Sequence, residues 1–429
     1  MSFVHVQTLR GCGYLPDQVH TVGRLRPNAL LIVRELSYNE ATSERRVTML
    51  DTQDRLLNQE TDARTNEKRD PLPLSTPDLN GLTALRALWA QMPMIPRVVH
   101  DRSEGIDNSW HGFDVRTILI GEESAGRFTF HDVIVAPGAK LPPHHLSGSD
   151  THVCMLDGEI ELTVGALTEV LGPDDFAYAP EDTTQAIRNR SAEPARFFMW
   201  HSPAGPERAF AAAHQAFAEN PDADAGQFEQ ALSSLGYTFH RGSEHLANDD
   251  RTNTAVERLE AEIETFEDFA GLRDAWSRRP PVPKVFHDER SQETATYIPG
   301  QDTKMLLNGD EGSGRSVILQ HSIVAGYLAA EHHQPSEEEV FMVFDGALDL
   351  TAGNATTELQ RGGFGFVPRY GTHRFSNPMN EGQTRIVCVN SPAGHERGFQ
   401  TLSSKIDSPN LPELIVAHGW SMHAPPEIG

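Results

Sequence analysis

An internal repeat constrains the fold of this chain more than any other feature. Residues 113–145 align without gaps with residues 301–333, an offset of 188 residues (301 minus 113). The same offset still relates Pro180 to Pro368. A long self-match of this kind has to be recognised before any single element is assigned. It predicts that the chain is a tandem duplication.

The segments that flank the two copies repeat as well. ALRALWAQMPMIPRVVHD precedes the first copy and GLRDAWSRRPPVPKVFHD precedes the second, while HSPAGPERAF and NSPAGHERGF follow them. Between Pro77 and Met92 the apolar residues keep helical spacing, namely Leu82, Leu85, Leu88 and Trp89. Strand-like patterns follow this helix in each copy. We therefore predict that each copy consists of a helix, a β-barrel, an SPAG turn and a second helix.

Length and composition agree with two globular domains. The chain has 429 residues, of which 38% are hydrophobic, and this length suits two domains better than one. We predict an N-terminal extension over residues 1–75, an N-terminal domain over 76–248 and a C-terminal domain over 249–429.

The charge and the cysteine content exclude several classes of protein. The formal net charge of -25 argues against nucleic acid or an anionic membrane as a partner, because both require basic patches. The 3 cysteines are too few and too scattered for a disulfide framework or a zinc ribbon. The sequence shows neither a signal-peptide pattern nor an apolar run long enough to span a membrane. We therefore expect a cytoplasmic protein.

The residues that carry chemistry lie in two segments of the second copy. Residues 326–346 read GYLAAEHHQPSEEEVFMVFDG, and residues 362–377 read GGFGFVPRYGTHRFSN. The run VFMVF indicates a buried strand, and Asp345-Gly346 is typical of a hairpin turn between two strands. Imidazoles and a carboxylate on neighbouring strands of a small barrel indicate a transition-metal site.

The first segment resembles the first motif of the cupin superfamily, G-x5-H-x-H-x4-E-x6-G. The second resembles the second motif, but it has one residue more between Pro368 and Gly371 and one residue fewer between Gly371 and His373 than the motif has. The resemblance implies a mostly β fold of two tandem cupin barrels (double-stranded β-helices, or jelly rolls) with flanking helices. It also places His332, Glu339 and His373 on the metal-ligand positions of the family. Gln334 occupies the position of the remaining histidine, and an amide oxygen is a weaker ligand than an imidazole.

His333 is the alternative to Gln334 as a ligand. Successive side chains of a strand point to opposite faces, so His332 and His333 both face the barrel interior only if the strand contains a bulge. The neighbouring Glu337 and Glu338 are expected in a solvated turn, although Glu338 becomes a ligand if the strand slips in register.

The first copy lacks most of these ligands. At the offset of 188 residues, His332 corresponds to His144 and His373 corresponds to Gln185, while Leu146 and Thr151 replace Gln334 and Glu339. We predict that the first site is degenerate. His145 and His152 fall outside the inward register and are expected on the surface or in loops; the alternative is a rearranged site in which Asp150 or His152 joins His144.

Apolar and aromatic side chains near the second site are candidates for a substrate pocket, and the alternative is that each simply belongs to the barrel core. The candidates are His321, Tyr327, Phe341, Phe366 and Phe375. Side chains of this kind suit an aromatic or similarly flat ligand.

The SPAG turn and the helix after it are similar to those of the quercetin dioxygenase-like cupins. This resemblance implies a dioxygenase that uses one divalent transition metal in the C-terminal barrel, with an oxygenated small molecule and O2 as its substrates. Fe(II) is the expected ion, and Mn, Ni, Cu and Zn remain open. Glu339 is expected to alternate between metal ligand and general base.

Two other classes of function remain open because a fold does not determine a function. One is a non-redox isomerase, lyase or hydrolase that acts on a small hydroxy or carbonyl compound. The other is a metal-free protein that binds a small molecule. We expect a monomer or a homodimer, since single cupins often dimerise by swapping strands and a fused duplication satisfies that pairing within one chain.

Overall fold

The computed structural model of the protein describes residues 36–38, 45–47, 79–220, 225–240, 266–290, 294–404 and 421–422. The chain divides into two compact units, Met1–Gln53 and Asp54–Gly429. In the first unit, strand β1 (Leu36–Tyr38) pairs antiparallel with β2 (Arg45–Val47). Both copies of the repeat lie in the second unit. The predicted domain boundary near residue 248 lies outside the described residues.

The first copy begins with helix α1 (Leu79–Trp89), as its apolar spacing predicts. Leu82, Leu85 and Trp89 are buried along one face of this helix, whereas Leu88, the fourth residue of the predicted apolar set, is 50% exposed. Helices α2 (Pro206–Glu219) and α3 (Ala225–Ser233) follow the barrel. The strands of this half of the unit are β3 (Arg97–Val99), β4 (Ile106–Asp107), β5 (Phe113–Leu119), β6 (Thr129–Val135), β7 (Lys140–Leu146), β8 (Asp150–Asp157), β9 (Ile160–Val164), β10 (Leu167–Leu171), β11 (Phe176–Ala179), β12 (Gln185–Arg188), β13 (Ala195–Ser202) and β14 (Tyr237–Phe239).

The second copy has the same order of elements. Helix α4 (Phe266–Ser277) precedes the barrel and α5 (His395–Ser403) follows it. The strands are β15 (Lys284–Phe286), β16 (Ala295–Ile298), β17 (Gln301–Leu307), β18 (Val317–Val324), β19 (His332–His333), β20 (Glu338–Asp345), β21 (Ala347–Ala352), β22 (Ala355–Gln360), β23 (Phe364–Val367), β24 (His373–Ser376), β25 (Gln383–Ser391) and β26 (Ser421–Met422). Four strands of the first copy, β5, β8, β11 and β12, have counterparts that begin and end 188 residues later (301 minus 113).

Each copy forms a barrel from a seven-stranded and a five-stranded antiparallel sheet, so the predicted mostly β fold with two cupin-type barrels is confirmed. In the first barrel the strand orders are β15-β11-β8-β13-β6-β5-β4 and β10-β9-β12-β7-β14. In the second they are β16-β17-β18-β25-β20-β23-β3 and β22-β21-β24-β19-β26. Asp345-Gly346 is not a hairpin turn, since β20 and β21 belong to different sheets and the dipeptide is the corner between them.

The two copies exchange strands. Strand β3, which precedes the first barrel, pairs with β23 of the second barrel, and β15, which precedes the second barrel, pairs with β11 of the first. The expected pairing within one chain is therefore present. The exchange makes each seven-stranded sheet depend on both copies.

The apolar side chains form separate clusters inside the barrels and a further cluster between them. The cluster between the barrels takes residues from both seven-stranded sheets; for example, Phe130 lies 5.2 Å from Phe364 between ring centroids. This explains the continuous apolar run of residues 340–344, whose strand is buried on both faces. Among the described residues, no helix is both long enough and apolar enough to cross a membrane.

Candidate metal centre

Three side chains inside the second barrel form a group with the geometry of a metal site. His332 comes from β19, Glu339 from β20 and His373 from β24, and one ligand atom of each lies within 4.8 Å of the others. His332 and His373 are direct partners in antiparallel register. Glu339 and His373 are 5% and 2% exposed. Within the described part of the chain, no other group of three or more histidines, cysteines and carboxylates has this geometry.

Backbone carbonyl groups orient both imidazoles. Nδ1 of His332 lies 2.8 Å from the carbonyl oxygen of Ala330, and Nδ1 of His373 lies 2.9 Å from that of Gly371. Because Nδ1 donates its proton to a carbonyl, Nε2 of each ring is left as the ligand atom. Nε2 of His373 lies 2.9 Å from Oε2 of Glu339, at the centre of the group.

The electrostatics favour the protonation states that a metal requires. Burial lowers the pKa of His332 to about 3, and the neighbouring His373 acts in the same direction. Burial by itself would raise the pKa of Glu339, but the hydrogen bond and the charge of His373 outweigh it and hold that pKa at about 2. A neutral imidazole and an ionised carboxylate are the forms that bind a cation.

Gln334 lies beside this group with an unpartnered oxygen. Its side chain is 2% exposed, and Nε2 lies 3.3 Å from Oε2 of Glu339 and 3.4 Å from Nδ1 of His395. Its Oε1 has no hydrogen-bond partner among the described residues. A buried amide oxygen without a partner is rare, and Gln334 lies next to Glu339 with its amide nitrogen turned to that carboxylate.

His333 lies outside the group. It follows His332 on β19, so its side chain points to the other face. There its ring lies 6.4 Å from the ring of Tyr370. The register therefore brings Gln334, rather than His333, to the other three residues.

The three consecutive glutamates at the start of β20, of which Glu337 precedes the strand, have different surroundings. The expectation that Glu337 and Glu338 form a solvated turn is wrong, since they are 6% and 0% exposed. The side chain of Glu338 points to the opposite face of the sheet from that of Glu339. It forms ion pairs with Arg369 at 2.9 Å and with Arg127 of the first barrel at 3.2 Å. Both arginines are distant in sequence, so the local pattern gave no sign of this burial.

A fifth polar residue at the site, His395, escaped the sequence analysis. It begins α5, directly after the SPAG turn, and its Nδ1 lies 3.3 Å from Oε2 of Glu337. Burial lowers its pKa, but the hydrogen bond and the charge of Glu337 outweigh this and raise it. Arg273 of α4 pairs with the same glutamate. The available signal was the change from PAGP to PAGH between the two copies.

Of the five candidate pocket residues, Phe341 lies beside this group, and Phe375 and Tyr327 follow it in a series of ring contacts. The ring of Phe341 lies 5.9 Å from that of His373, and Phe375 lies 5.5 Å from Phe341 and 5.9 Å from Tyr327. His321 is buried and its Nδ1 contacts Thr303 and Gln301.

Phe366 has a different position, and its prediction as a pocket residue is wrong. It is the register partner of Val340, and both belong to the cluster between the barrels, on the opposite face from Glu339.

The first barrel has a different set of residues at the corresponding positions. Nε2 of Gln185 donates to Oγ1 of Thr151 at 3.0 Å, where the second barrel has His373 and Glu339. His144 keeps the carbonyl contact of its counterpart, with Nδ1 2.7 Å from the oxygen of Pro142. An amide paired with a hydroxyl group offers no anionic ligand, in agreement with a degenerate site.

The other histidines of the first motif do not rebuild that site. His152 is fully buried rather than on the surface, and its ring stacks on Trp200 at 4.8 Å in the cluster between the barrels. Asp150 pairs with Arg315 of the second barrel. His145 is half-buried and its Nδ1 contacts Nε2 of His240 at 2.9 Å.

Comparison with known proteins agrees with this architecture. The family model described as "Cupin domain" matches twice, at residues 131–201 and 321–390, once in each barrel. The chain is a tandem cupin protein. No curated protein matches its sequence.

Several solved structures resemble this cupin protein at low identity. The E. coli protein Ylba is 10% identical, with a TM-score of 0.44 over 70% of this chain and 93% of that one. A putative glyoxylate-induced protein of Pseudomonas aeruginosa is 11% identical, with a TM-score of 0.41 over 66% and 80% of the two chains. Oxalate decarboxylase of Bacillus subtilis is 15% identical, with a TM-score of 0.43 over 70% and 77%.

Proposed function

We propose that the second barrel is the active site of a metal-dependent enzyme that acts on an oxygenated small molecule. The observation that carries the proposal is the group of half-buried His332 with buried Glu339 and His373, next to Gln334, whose oxygen has no hydrogen-bond partner among the described residues. Two imidazoles, a carboxylate and an amide oxygen suit a borderline transition metal rather than Mg²⁺ or Ca²⁺.

Four residues would hold the ion, and we assign His332, Glu339 and His373 as the principal ligands and Gln334 as the weaker one. When bound, the ion would supply a Lewis acid that polarises a substrate oxygen and, if it is redox-active, a centre for O2 chemistry. Fe(II) remains our expected ion, with Mn, Ni, Cu and Zn as alternatives.

The protein side chains supply orientation and exclude water. The aromatic rings of Tyr327, Phe341 and Phe375 line one side of the site, and a flat ligand would pack against them. His321 is kept neutral by burial, which lowers its pKa to about 3. Because Gln301 Nε2 donates to its Nδ1, the proton of this ring is on Nε2.

Two reaction classes are candidates for this enzyme, and we propose a dioxygenase as the first. The aromatic side chains at the site support it, as do the open coordination positions that a ligand set of this kind leaves on the metal. A specific observation favours the second form, a non-redox isomerase, lyase or hydrolase. His395 and Glu337 form a buried imidazole–carboxylate pair next to Gln334, and such a pair can hold a proton at Nδ1 while the substrate reacts. Proton transfer alone requires no O2.

The test of metal dependence is elemental analysis of protein purified without chelators, counted per chain. We expect one transition metal per chain in the wild type and none in His332→Ala, because that variant removes a principal ligand. His145→Ala is the matched control, since it removes an imidazole of the first barrel and should keep the metal. Protein without metal, or loss of metal in the control, would refute the assignment. An O2 electrode then separates the two forms, because only the dioxygenase consumes O2 during turnover.

A further inference from the structure

Asn390 lies on the inner face of strand β25, next to the candidate ligands. It is the direct register partner of Glu339 on β20, and the side chains of such partners point to the same face, with Cβ atoms about 4.5–5.5 Å apart. Cys388, two residues earlier on the strand, belongs to the apolar cluster inside the barrel. Alternation along the strand therefore turns Asn390 inward too.

The amide of Asn390 is buried without a hydrogen-bond partner. Its exposure is 0%, and neither Oδ1 nor Nδ2 has a partner among the described residues. Burial of an amide without partners costs free energy, so a native protein rarely keeps one unless a ligand or a water completes it. Because both atoms lack partners, the conclusion does not depend on which of them is the oxygen.

The same inward position is polar in both barrels. The register partner of Thr151 in the first barrel is His201, whose Nδ1 is also buried and has no partner in the part of the chain that the structure describes. A purely apolar side chain would satisfy the packing of either barrel, so packing does not explain the polar group. In the second barrel this polar group directly faces the residues that we assign to the metal.

We infer that Asn390 is a positioning residue that binds the substrate of the second barrel, an inference that rests on the proposed function. An amide presents one donor and one acceptor side by side. The matching ligand presents an acceptor and a donor on neighbouring atoms, as a hydroxyl group next to a carboxylate or carbonyl carbon does. The structure therefore points to 2-hydroxy carboxylates and 2-hydroxy carbonyl compounds as the substrate class.

The experiment compares three small probes by calorimetric titration of the metal-loaded protein. Glycolate carries the hydroxyl donor next to its carboxylate, methoxyacetate keeps the oxygen but loses the donor, and acetate lacks both. We expect the wild type to prefer glycolate over the other two by about two- to tenfold, the size of effect that one lost hydrogen bond between neutral groups produces. In Asn390→Leu, the preference for glycolate should fall by the same factor.

Two further readouts separate positioning from a structural role. Asn390→Leu replaces an unpartnered amide with an apolar group of similar size, so its urea midpoint should equal or exceed that of the wild type. Its metal content should be unchanged, because Asn390 is not among the ligands. If Asn390→Leu does not fold, Asn390→Ser provides the same comparison, since its shorter side chain cannot reach the probe in the same way.

Each outcome decides between the two proposals. Equal affinity of the wild type for the three probes, or an unchanged glycolate preference in the variant, overturns the role of Asn390 while the metal site stands. Loss of stability together with an unchanged preference identifies a structural role and overturns the inference. Wild-type protein that binds no metal overturns the proposed function, and the inference with it.

Discussion

Replacement of Gly309 by alanine tests how tightly helix α4 is packed on the second barrel. A Cβ atom at Gly309 would lie 2.5 Å from Cζ3 of Trp276, 2.6 Å from Cη2 and 2.7 Å from Cε3. These distances are shorter than any ordinary carbon–carbon contact. Trp276 is 1% exposed, so its indole ring cannot swing into solvent. Either the helix or the barrel loop must shift to accept the methyl group.

The expected cost follows from overpacking. An added methyl group in a tightly packed core typically costs about 1–3 kcal/mol, and the lower entropy of the unfolded alanine chain returns about 0.4–1 kcal/mol of that. The backbone amide of Gly309 also donates to Oε1 of Glu396 at 2.9 Å, in the turn that carries His395, so a shift of the loop weakens this contact too. We expect a net loss of about 1–2 kcal/mol in the free energy of unfolding.

Two other glycines provide the controls. Gly271→Ala lies in the exposed part of the same helix with no atom within 4 Å of the new methyl group, and should stabilise the protein by about 0.5–1 kcal/mol. Gly121→Ala places its Cβ atom 2.5 Å from Trp89, the same contact in the first copy, and should match Gly309→Ala in sign and size.

The assay is urea unfolding monitored by far-UV circular dichroism. The free energies of unfolding of the wild type and the three variants are compared with one shared m value, the slope of free energy against urea concentration. If Gly309→Ala is as stable as the wild type while Gly271→Ala shows its expected gain, the reasoning from the close contact is refuted. That result would mean that the indole ring relaxes at little cost.

Two further predictions concern the contact between the barrels and the ligand set. Arg315→Ala removes the cation that lies 2.5 Å from the carboxylate of Asp150, which is 1% exposed. This should lower the free energy of unfolding by about 2–3 kcal/mol, less than for a fully buried pair because Arg315 is 35% exposed. In urea unfolding, adding Asp150→Asn should recover part of this loss, and purely additive effects of the two substitutions would contradict a direct pair. In metal titrations, Gln334→His should tighten binding because imidazole is the better ligand, whereas His333→Ala should leave the affinity unchanged; the reverse pattern would place β19 in the other register.

Motif spacing predicted the centre of the site. Counting from either glycine of the first motif, Gly326 or Gly346, assigns His332, Gln334 and Glu339 to the same motif positions. The structure brings these residues together with His373. The positions of His332, Glu339 and His373 follow from the resemblance to the cupin motifs, and the alternation of side chains along a strand adds only that His333 faces away from His332. The duplicated sequence likewise predicted the order of elements in each half, as the matching strand bounds of the two copies show.

Residues on the other face of the same strands were misjudged. Glu338, His152 and Phe366 were assigned to solvent, to the surface and to the pocket, yet all three are buried on the side where the barrels meet. A period of two residues tells which side chains share a face, but it contains no information about what covers the other face. That depends on the packing of one seven-stranded sheet on the other.

The sequence by itself determined the duplication, because that follows from the comparison of one copy with the other, and its resemblance to the cupin motifs implied the mostly β architecture and the positions of His332, Glu339 and His373. Only the tertiary structure decided that the copies exchange strands β3 and β15. It alone brought His395 from the helix after the barrel to Gln334, and it placed Asn390 opposite Glu339 with no hydrogen-bond partner for its amide among the described residues. The physical reason is that these contacts join segments distant in the chain, and their geometry is set by barrel closure and sheet packing rather than by the spacing of residues along a strand.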